Sequence, residues 1–258
     1  MPAKDLSVCL IQHPLVWEAP ADNRRQFEHR VRENAGADVF VLPEMFTTGF
    51  SMNAIGNAES PGGDTTRWMQ DIAREMDCAI TGSIATRVGE VVFNRMLFVT
   101  PDAVTVYDKR HLFRMAGEHK RYAAGHQRVV TEWRGWRILL QVCYDLRFPV
   151  FSRNQNDYDL AIYVANWPAP RALHWRSLLQ ARAIENLSAV VGVNRIGADA
   201  NGLDYRGDSL AIAANGDLLT DLGDREICQT VLIKAEEQNR YRERFPAFLD
   251  ADGFELIL

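Results

Sequence analysis

Short apolar runs alternate along the chain with amphipathic stretches, and the pattern changes period from one segment to the next. Leu6–Gln12 reads as a buried strand, and Asn23–Asn34 as a helix carrying Phe27 and Val31 four apart on one face. Gly36 follows at a position suited to a helix C-cap. Asp38–Leu42 is strand-like and stops at Pro43. Thr65–Met76 predicts a helix capped by Asp64 after the Pro61-Gly62-Gly63 loop. Ala79–Ile84, Val91–Thr100 and Ala103–Tyr107 then read as strands, the last two separated by a Pro101-Asp102 turn.

The second half repeats this grammar. Arg137–Val142 is a strand, Val150–Asn156 a short helix, Leu160–Ala165 a strand and Ala172–Asn186 a helix. Ala189–Asn194 and Ser209–Ala214 read as strands. Asn215-Gly216 signals a hairpin to Leu218–Leu222. A last strand, Gln229–Ile233, precedes a charged tail rich in Arg and Glu. Many of these strands are apolar almost throughout, which implies sheets covered on both faces. Helix, sheet, sheet, helix is one layering that achieves this with so few helices. The expectation is one α/β domain spanning residues 1–258, with no linker and no short-period repeat.

Composition narrows the classes. At 47% hydrophobic and 24% charged residues the chain is globular rather than disordered. Lys and Arg total 29 against 34 Asp and Glu, a formal charge of −5 with no basic cluster, so nucleic acid is not expected as a partner. No run of about 18 apolar residues exists to span a membrane. The N-terminal MPAKDLSVCLIQHP lacks the apolar core of a secretory signal. Cys9, Cys78, Cys143 and Cys228 lie far apart, without paired or metal-like spacing. Reduced thiols in a cytoplasmic setting, with no metal site, are the simplest expectation.

Three strand ends offer chemistry. Cys143 ends an apolar strand before a turn-like Tyr144–Pro149, a strand-to-turn-to-helix corner that suits a nucleophile beside backbone N–H groups. The ordinary alternative is a small buried hydrophobe, which serves for Cys9, Cys78 and Cys228. Glu44 follows a strand with apolar neighbours on both sides, unlike a solvated surface acid. Lys109 follows a third strand, between Asp108 and Arg110. None of the six histidines occupies an obvious strand end, so a Cys–His pairing is weakly supported.

LPEMFTTGF around Glu44, YDKRHLF around Lys109 and QVCYDLRFP around Cys143 resemble, in order and spacing, the three signature blocks of the nitrilase (carbon–nitrogen hydrolase) superfamily. The resemblance covers essentially the whole chain. Gly117-Glu118-His119-Lys120, Asn166-Trp167-Pro168, Arg182–Asn186 and Asn194-Arg195 agree with it. Within the superfamily, Met45–Met52 and Asn166–Arg171 are most similar to bacterial omega-amidases.

The resemblance implies a four-layer α-β-β-α sandwich, a homodimer or larger homo-oligomer, a small-molecule amide substrate and no cofactor. It implies Glu44, Lys109 and Cys143 as a catalytic triad and Glu118 as a second acid that hydrogen-bonds Lys109 or the substrate amide. Lys109 is expected to lower the thiol pKa from about 8.5 while Glu44 accepts its proton. Lys109 and the Tyr144 backbone N–H would then hold the oxyanion. Phe46, Tyr144 and Trp167 are candidates for a narrow pocket wall, with core packing as the alternative. Arg171 is the candidate for a substrate carboxylate, Arg147 is expected in an internal ion pair, and Arg182 with Glu185 in a structural helix pair. Hydrolysis of the terminal amide of 2-oxo acids is the leading expectation. Deaminated-glutathione amidase, carbamoylase and nitrilase activities, or a catalytically silent protein on this fold, remain alternatives.

Overall fold

The computed structural model describes residues 1–257. Its first half runs β1 (Leu6–Gln12), α1 (Pro20–Glu33), β2 (Val39–Val41), the single turn α2 (Ala54–Asn57), α3 (Asp64–Met76), β3 (Ala79–Val88), β4 (Val91–Val99) and β5 (Val104–Asp108). The second half continues with β6 (Val130–Trp133), β7 (Trp136–Val142), α4 (Pro149–Ser152), β8 (Leu160–Ala165), α5 (Ala172–Asn186) and β9 (Ala189–Asn194). It ends with β10 (Ile196–Ala198), β11 (Asp204–Arg206), β12 (Leu210–Ile212), β13 (Leu218–Asp221), β14 (Ile227–Ile233) and α6 (Ala235–Arg244).

Two six-stranded sheets form, ordered β14-β1-β2-β3-β4-β5 and β13-β12-β9-β8-β7-β6. Each has a parallel central trio, β1-β2-β3 and β7-β8-β9, flanked by antiparallel neighbours. Strand side chains alternate between faces, and here both faces are covered. Leu6, Val8 and Leu10 of β1 pack in the core between the sheets with Ile138, Leu140 and Val142 of β7. Cys9 and Ile11 turn outward to Phe27, Val31, Met69 and Ile72 of α1 and α3. Leu139, Ala161 and Tyr163 turn outward to Trp175, Leu179 and Ala183 of α5. The result is the expected α-β-β-α sandwich, and it explains the unbroken apolar runs.

Several local expectations are corrected. Helix α1 starts at Pro20, where a missing N–H costs nothing. Asn23 is buried in its first turn, bridging Val16 and the Thr47 carbonyl. The helix ends on Asn34, whose N–H returns to Val31, so Gly36 is not the cap but a turn residue at φ +101°. Asp64 is the first helical residue of α3 rather than its cap, and Glu59 accepts the free Thr65 N–H at 2.8 Å. Helix α4 stops at Ser152, because Asn154 is drawn into hydrogen bonds with Asn186 and Ser188. The Asn215-Gly216 hairpin forms as expected between β12 and β13, with Gly216 at φ +92°.

The charged C-terminal stretch is helical. Arg242 of α6 reaches Asp159 at 2.6 Å and the Leu187 and Tyr158 carbonyls, while Gln238 spans Ala189 and Asp159. These contacts tie α6 to the amino ends of β8 and β9, leaving the carboxyl ends of both parallel trios free to carry chemistry.

Trp175 is fully buried and donates its indole N–H to the Asp208 carbonyl at 2.9 Å. Trp175→Ala is expected to lower unfolding free energy by about 3–5 kcal/mol, read from urea denaturation; a loss below about 1 kcal/mol would contradict this packing.

Candidate active site

Glu44, Lys109 and Cys143 come together at one rim of the sandwich. Glu44 follows β2 after Leu42-Pro43, Lys109 directly follows β5, and Cys143 directly follows β7 and opens a 3-10 turn through Arg147. The first sheet thus supplies the acid and the ammonium, and the second supplies the thiol. Cys143 has φ +47° and Met45, next to Glu44, φ +46°. Left-handed conformations cost energy for residues with a Cβ and persist where surrounding bonds hold them. At the cysteine corner one such bond is from the Val142 N–H to Asp145 Oδ2, at 2.9 Å. Tyr144 lies in the first turn, where amide N–H groups have no partner within the helix.

Lys109 Nζ lies 2.9 Å from Glu44 Oε1 and 3.0 Å from Glu118 Oε2, and all three side chains are fully buried. Asn94 Nδ2 donates to Glu44 Oε1 at 2.8 Å and to Glu118 Oε1 at 3.2 Å. The Asn166 N–H donates to Glu44 Oε2 at 2.8 Å, and the Phe113 N–H to Glu118 Oε2 at 2.6 Å. Every carboxylate oxygen therefore has a donor, as buried charges require. Burial opposes the Lys109 charge, but Glu118 and Glu44 outweigh it and hold its pKa well above the ordinary lysine value. Burial and then the Glu44 charge push Glu118 up, against the pull of Lys109.

Cys143 Sγ lies 4.0 Å from the Asn166 carbonyl. Burial pushes its thiol well above the ordinary range, the Glu44 charge adds to this, and Lys109 only partly offsets both. The expected lowering by Lys109 is thus outweighed, and the net shift is upward. Lysine has three N–H donors, and Nζ faces three carboxylate oxygens, Glu44 Oε1 and, at 3.1 and 3.0 Å, Glu118 Oε1 and Oε2.

A cavity of about 240 Å³ opens over Cys143. Phe50, Phe113, Tyr144, Trp167, Leu203 and Tyr205 give it apolar walls. The Phe50 ring lies 5.2 Å from Lys109 Nζ and covers the ion cluster. Arg147 and Arg171 also line the cavity, stacked over Trp167 at 4.8 Å and over Phe113 at 5.4 Å. Neither guanidinium has a carboxylate partner among the described residues. No three His, Cys, Asp or Glu side chains among the described residues converge to hold a metal ion.

The carbon-nitrogen hydrolase family profile matches residues 7–243. The chain belongs to the carbon-nitrogen hydrolase family. Omega-amidase YafV of Escherichia coli K12 is 51% identical over 97% of this chain and 98% of its own. The 2-oxoglutaramate amidase of Bacillus subtilis 168 is 32% identical, over 95% of this chain and 96% of its own. A crystallised CN-hydrolase superfamily protein of Xanthomonas campestris, carrying an arsenic adduct in its active site, superposes with TM-score 0.96 at 48% identity, over 98% of this chain and 100% of that one. This carbon-nitrogen hydrolase is therefore an enzyme with the α-β-β-α architecture of the nitrilase superfamily and amidase relatives.

Glu118 contacts Lys109, while Tyr144, Trp167 and Arg171 line the cavity, and Arg182 pairs with Glu185 at 2.8 Å. Phe46 does not line the cavity. It is fully buried on the helix side of the first sheet, edge-on to Phe27 at 5.5 Å and beside Trp68. Among the described residues Arg147 has no internal ion pair and its only hydrogen-bond partner is His174 Nδ1 at 3.0 Å, and it joins Arg171 at the cavity. Asn94 went unread, although Val92, Asn94, Met96 and Phe98 share one face of β4 and three are apolar. A polar residue in an inward register was the available signal. The hairpin β10–β11, which brings Tyr205 and Leu203 to the cavity, carried no such mark.

With the Cys143 thiol pKa pushed upward by burial and by Glu44, ultraviolet thiolate absorbance at neutral pH is expected to be the same for wild type and Cys143→Ser, with a difference emerging only in alkali. A wild-type excess of one thiolate at neutral pH would contradict the assignment.

Proposed function

We propose that this enzyme is a thiol-dependent omega-amidase, converting the terminal amide of short 2-oxo acids such as 2-oxoglutaramate and 2-oxosuccinamate to the dicarboxylate and ammonia. The observation that carries this reading is Cys143 at a left-handed corner beside a buried Lys109–Glu44 pair, beneath a small apolar cavity with two unpaired guanidiniums. The names of the Escherichia coli and Bacillus subtilis relatives support the same substrate class.

Glu44 accepts the thiol proton as Sγ attacks the amide carbon, so no resting thiolate is needed. Charge develops on the former carbonyl oxygen, which the Lys109 ammonium, turning one N–H from the doubly contacted Glu118, and the Tyr144 N–H would stabilise. The protonated Glu44 gives its proton to the amide nitrogen, the C–N bond breaks and ammonia leaves. Glu44 then takes a proton from water, whose oxygen adds to the thioester carbon. Collapse breaks the C–S bond and returns the proton to sulfur. Glu118 holds Lys109 in place throughout.

The distal carboxylate of a 2-oxo acid needs a cation, and Arg147 or Arg171 can meet it with paired N–H groups. The cavity's modest size favours a short acid over a peptide-like amide.

Wild type is expected to release ammonia from 2-oxoglutaramate and 2-oxosuccinamate but not from glutamine, and Cys143→Ala to lose more than about 10³-fold in kcat. Full activity in Cys143→Ala would sink the mechanism. Hydrolysis of a nitrile or an N-carbamoyl amino acid in place of both oxo-amides would sink the substrate assignment alone. Arg147→Ala and Arg171→Ala should raise KM for 2-oxoglutaramate, with the carboxylate-binding position costing about tenfold or more; unchanged KM in both would remove the arginines from recognition.

A further inference from the structure

Asp145 has no place in the chemistry above, yet it is a fully buried carboxylate inside the turn that Cys143 opens. Its Oδ2 accepts the Val142 N–H at 2.9 Å and the Tyr107 hydroxyl at 2.7 Å. Its Oδ1 accepts the His111 N–H at 3.0 Å and lies 2.7 Å from His111 Nδ1. No lysine or arginine pairs with it among the described residues; its one ionic contact is the His111 ring. That ring is itself held, stacked on Phe148 at 3.8 Å and edge-on to Phe151 at 5.1 Å. The Tyr107 oxygen also accepts the Arg110 N–H at 3.1 Å.

The positions of these donors matter more than their number. Tyr107 and His111 stand two residues to either side of Lys109, while Val142 and Asp145 itself bracket Cys143. One carboxylate therefore grips the chain on both sides of the ammonium and on both sides of the nucleophile, and those two segments belong to different sheets. Sγ meets the Asn166 carbonyl at 4.0 Å and the Glu44 side chain, but no bond joins it to Lys109 Nζ among the described residues. Beside those contacts, Asp145 gives the Lys109 and Cys143 segments a direct link through their backbones and flanking side chains.

We propose that Asp145 is a positioning residue that couples the Lys109 segment to the left-handed Cys143 corner, setting the geometry between nucleophile and ammonium. It touches neither substrate nor reacting atoms. The turnover part of the argument rests on the amidase reading above, whereas the reactivity of the Cys143 sulfur does not. Asp145→Asn keeps the volume but places an NH2 group against two donors, loosening one half of the grip.

The test compares wild type, Asp145→Asn and Tyr107→Phe in 2-oxoglutaramate turnover and in alkylation of Cys143 by iodoacetamide at neutral pH. Alkylation is followed on the Cys143 peptide by mass spectrometry, and thermal melts check folding. In Asp145→Asn, kcat is expected to fall about tenfold to a hundredfold, with KM within about threefold of wild type and alkylation slowed in parallel. Tyr107→Phe removes a single donor and should give a smaller fall of the same kind. A folded Asp145→Asn with unchanged kcat and alkylation overturns the proposal, as does a change confined to KM. Should Asp145→Asn fail to fold, Tyr107→Phe decides: slowed alkylation upholds the proposal and an unchanged rate overturns it. If wild type does not turn over the oxo-amide, the substrate reading falls while alkylation still decides the role of Asp145.

Discussion

A lysine ammonium buried between two carboxylates is the constraint around which this enzyme is organised. Removing three charges from water costs several kcal/mol per ion, recovered only if every oxygen and proton finds a partner in good geometry. The partners come from separated parts of the chain: Asn94 from β4, Asn166 from the end of β8, and the Phe113 amide from the loop after Lys109. Asn166 ends a strand of the second sheet, yet it bonds Glu44 of the first. The cluster therefore forms only when the two sheets are packed in register. Folding and site assembly are one event here, because the ions have no adequate partners until the sandwich closes.

The same burial decides the state of the nucleophile. Burial and the Glu44 charge raise the pKa of the Cys143 thiol, and Lys109 only partly offsets them. In the proposed reaction this favours proton transfer to Glu44 coupled to attack over a standing thiolate.

Much of this was legible in the amino-acid pattern. Strands apolar throughout announced sheets covered on both sides, and β1, β8, β9 and α5 have the bounds their patterns predict. Glu44, Lys109 and Cys143 at strand ends were weak signals one by one, and the resemblance of their three blocks to the superfamily signatures singled them out. Other parts left no one-dimensional trace. Helix α6 docks through Arg242 and Gln238 rather than an apolar stripe, so its periodicity looked like a charged tail. Phe46 and Arg147 were misplaced for a related reason. Adjacent positions near a strand end can face opposite layers, and only the packed sheets reveal which faces the cavity. Glu44 aims into the seam, while Phe46, two residues on, sits against Phe27 in the outer layer.

The short hairpin β10–β11 belongs to neither large sheet. It is joined to the body by a bridge between Pro14 and Ile196, and by the buried Arg195, which reaches the Leu15 and Ala198 carbonyls and stacks on Tyr205. It contributes Leu203 and Tyr205 to the cavity but no atom to the ion cluster. Part of the cavity wall is thus built on a different piece of backbone from the ion cluster. A substitution in the hairpin can reshape that wall without displacing an atom of the buried ions. The seam between the two pieces runs through Asn194 and Arg195.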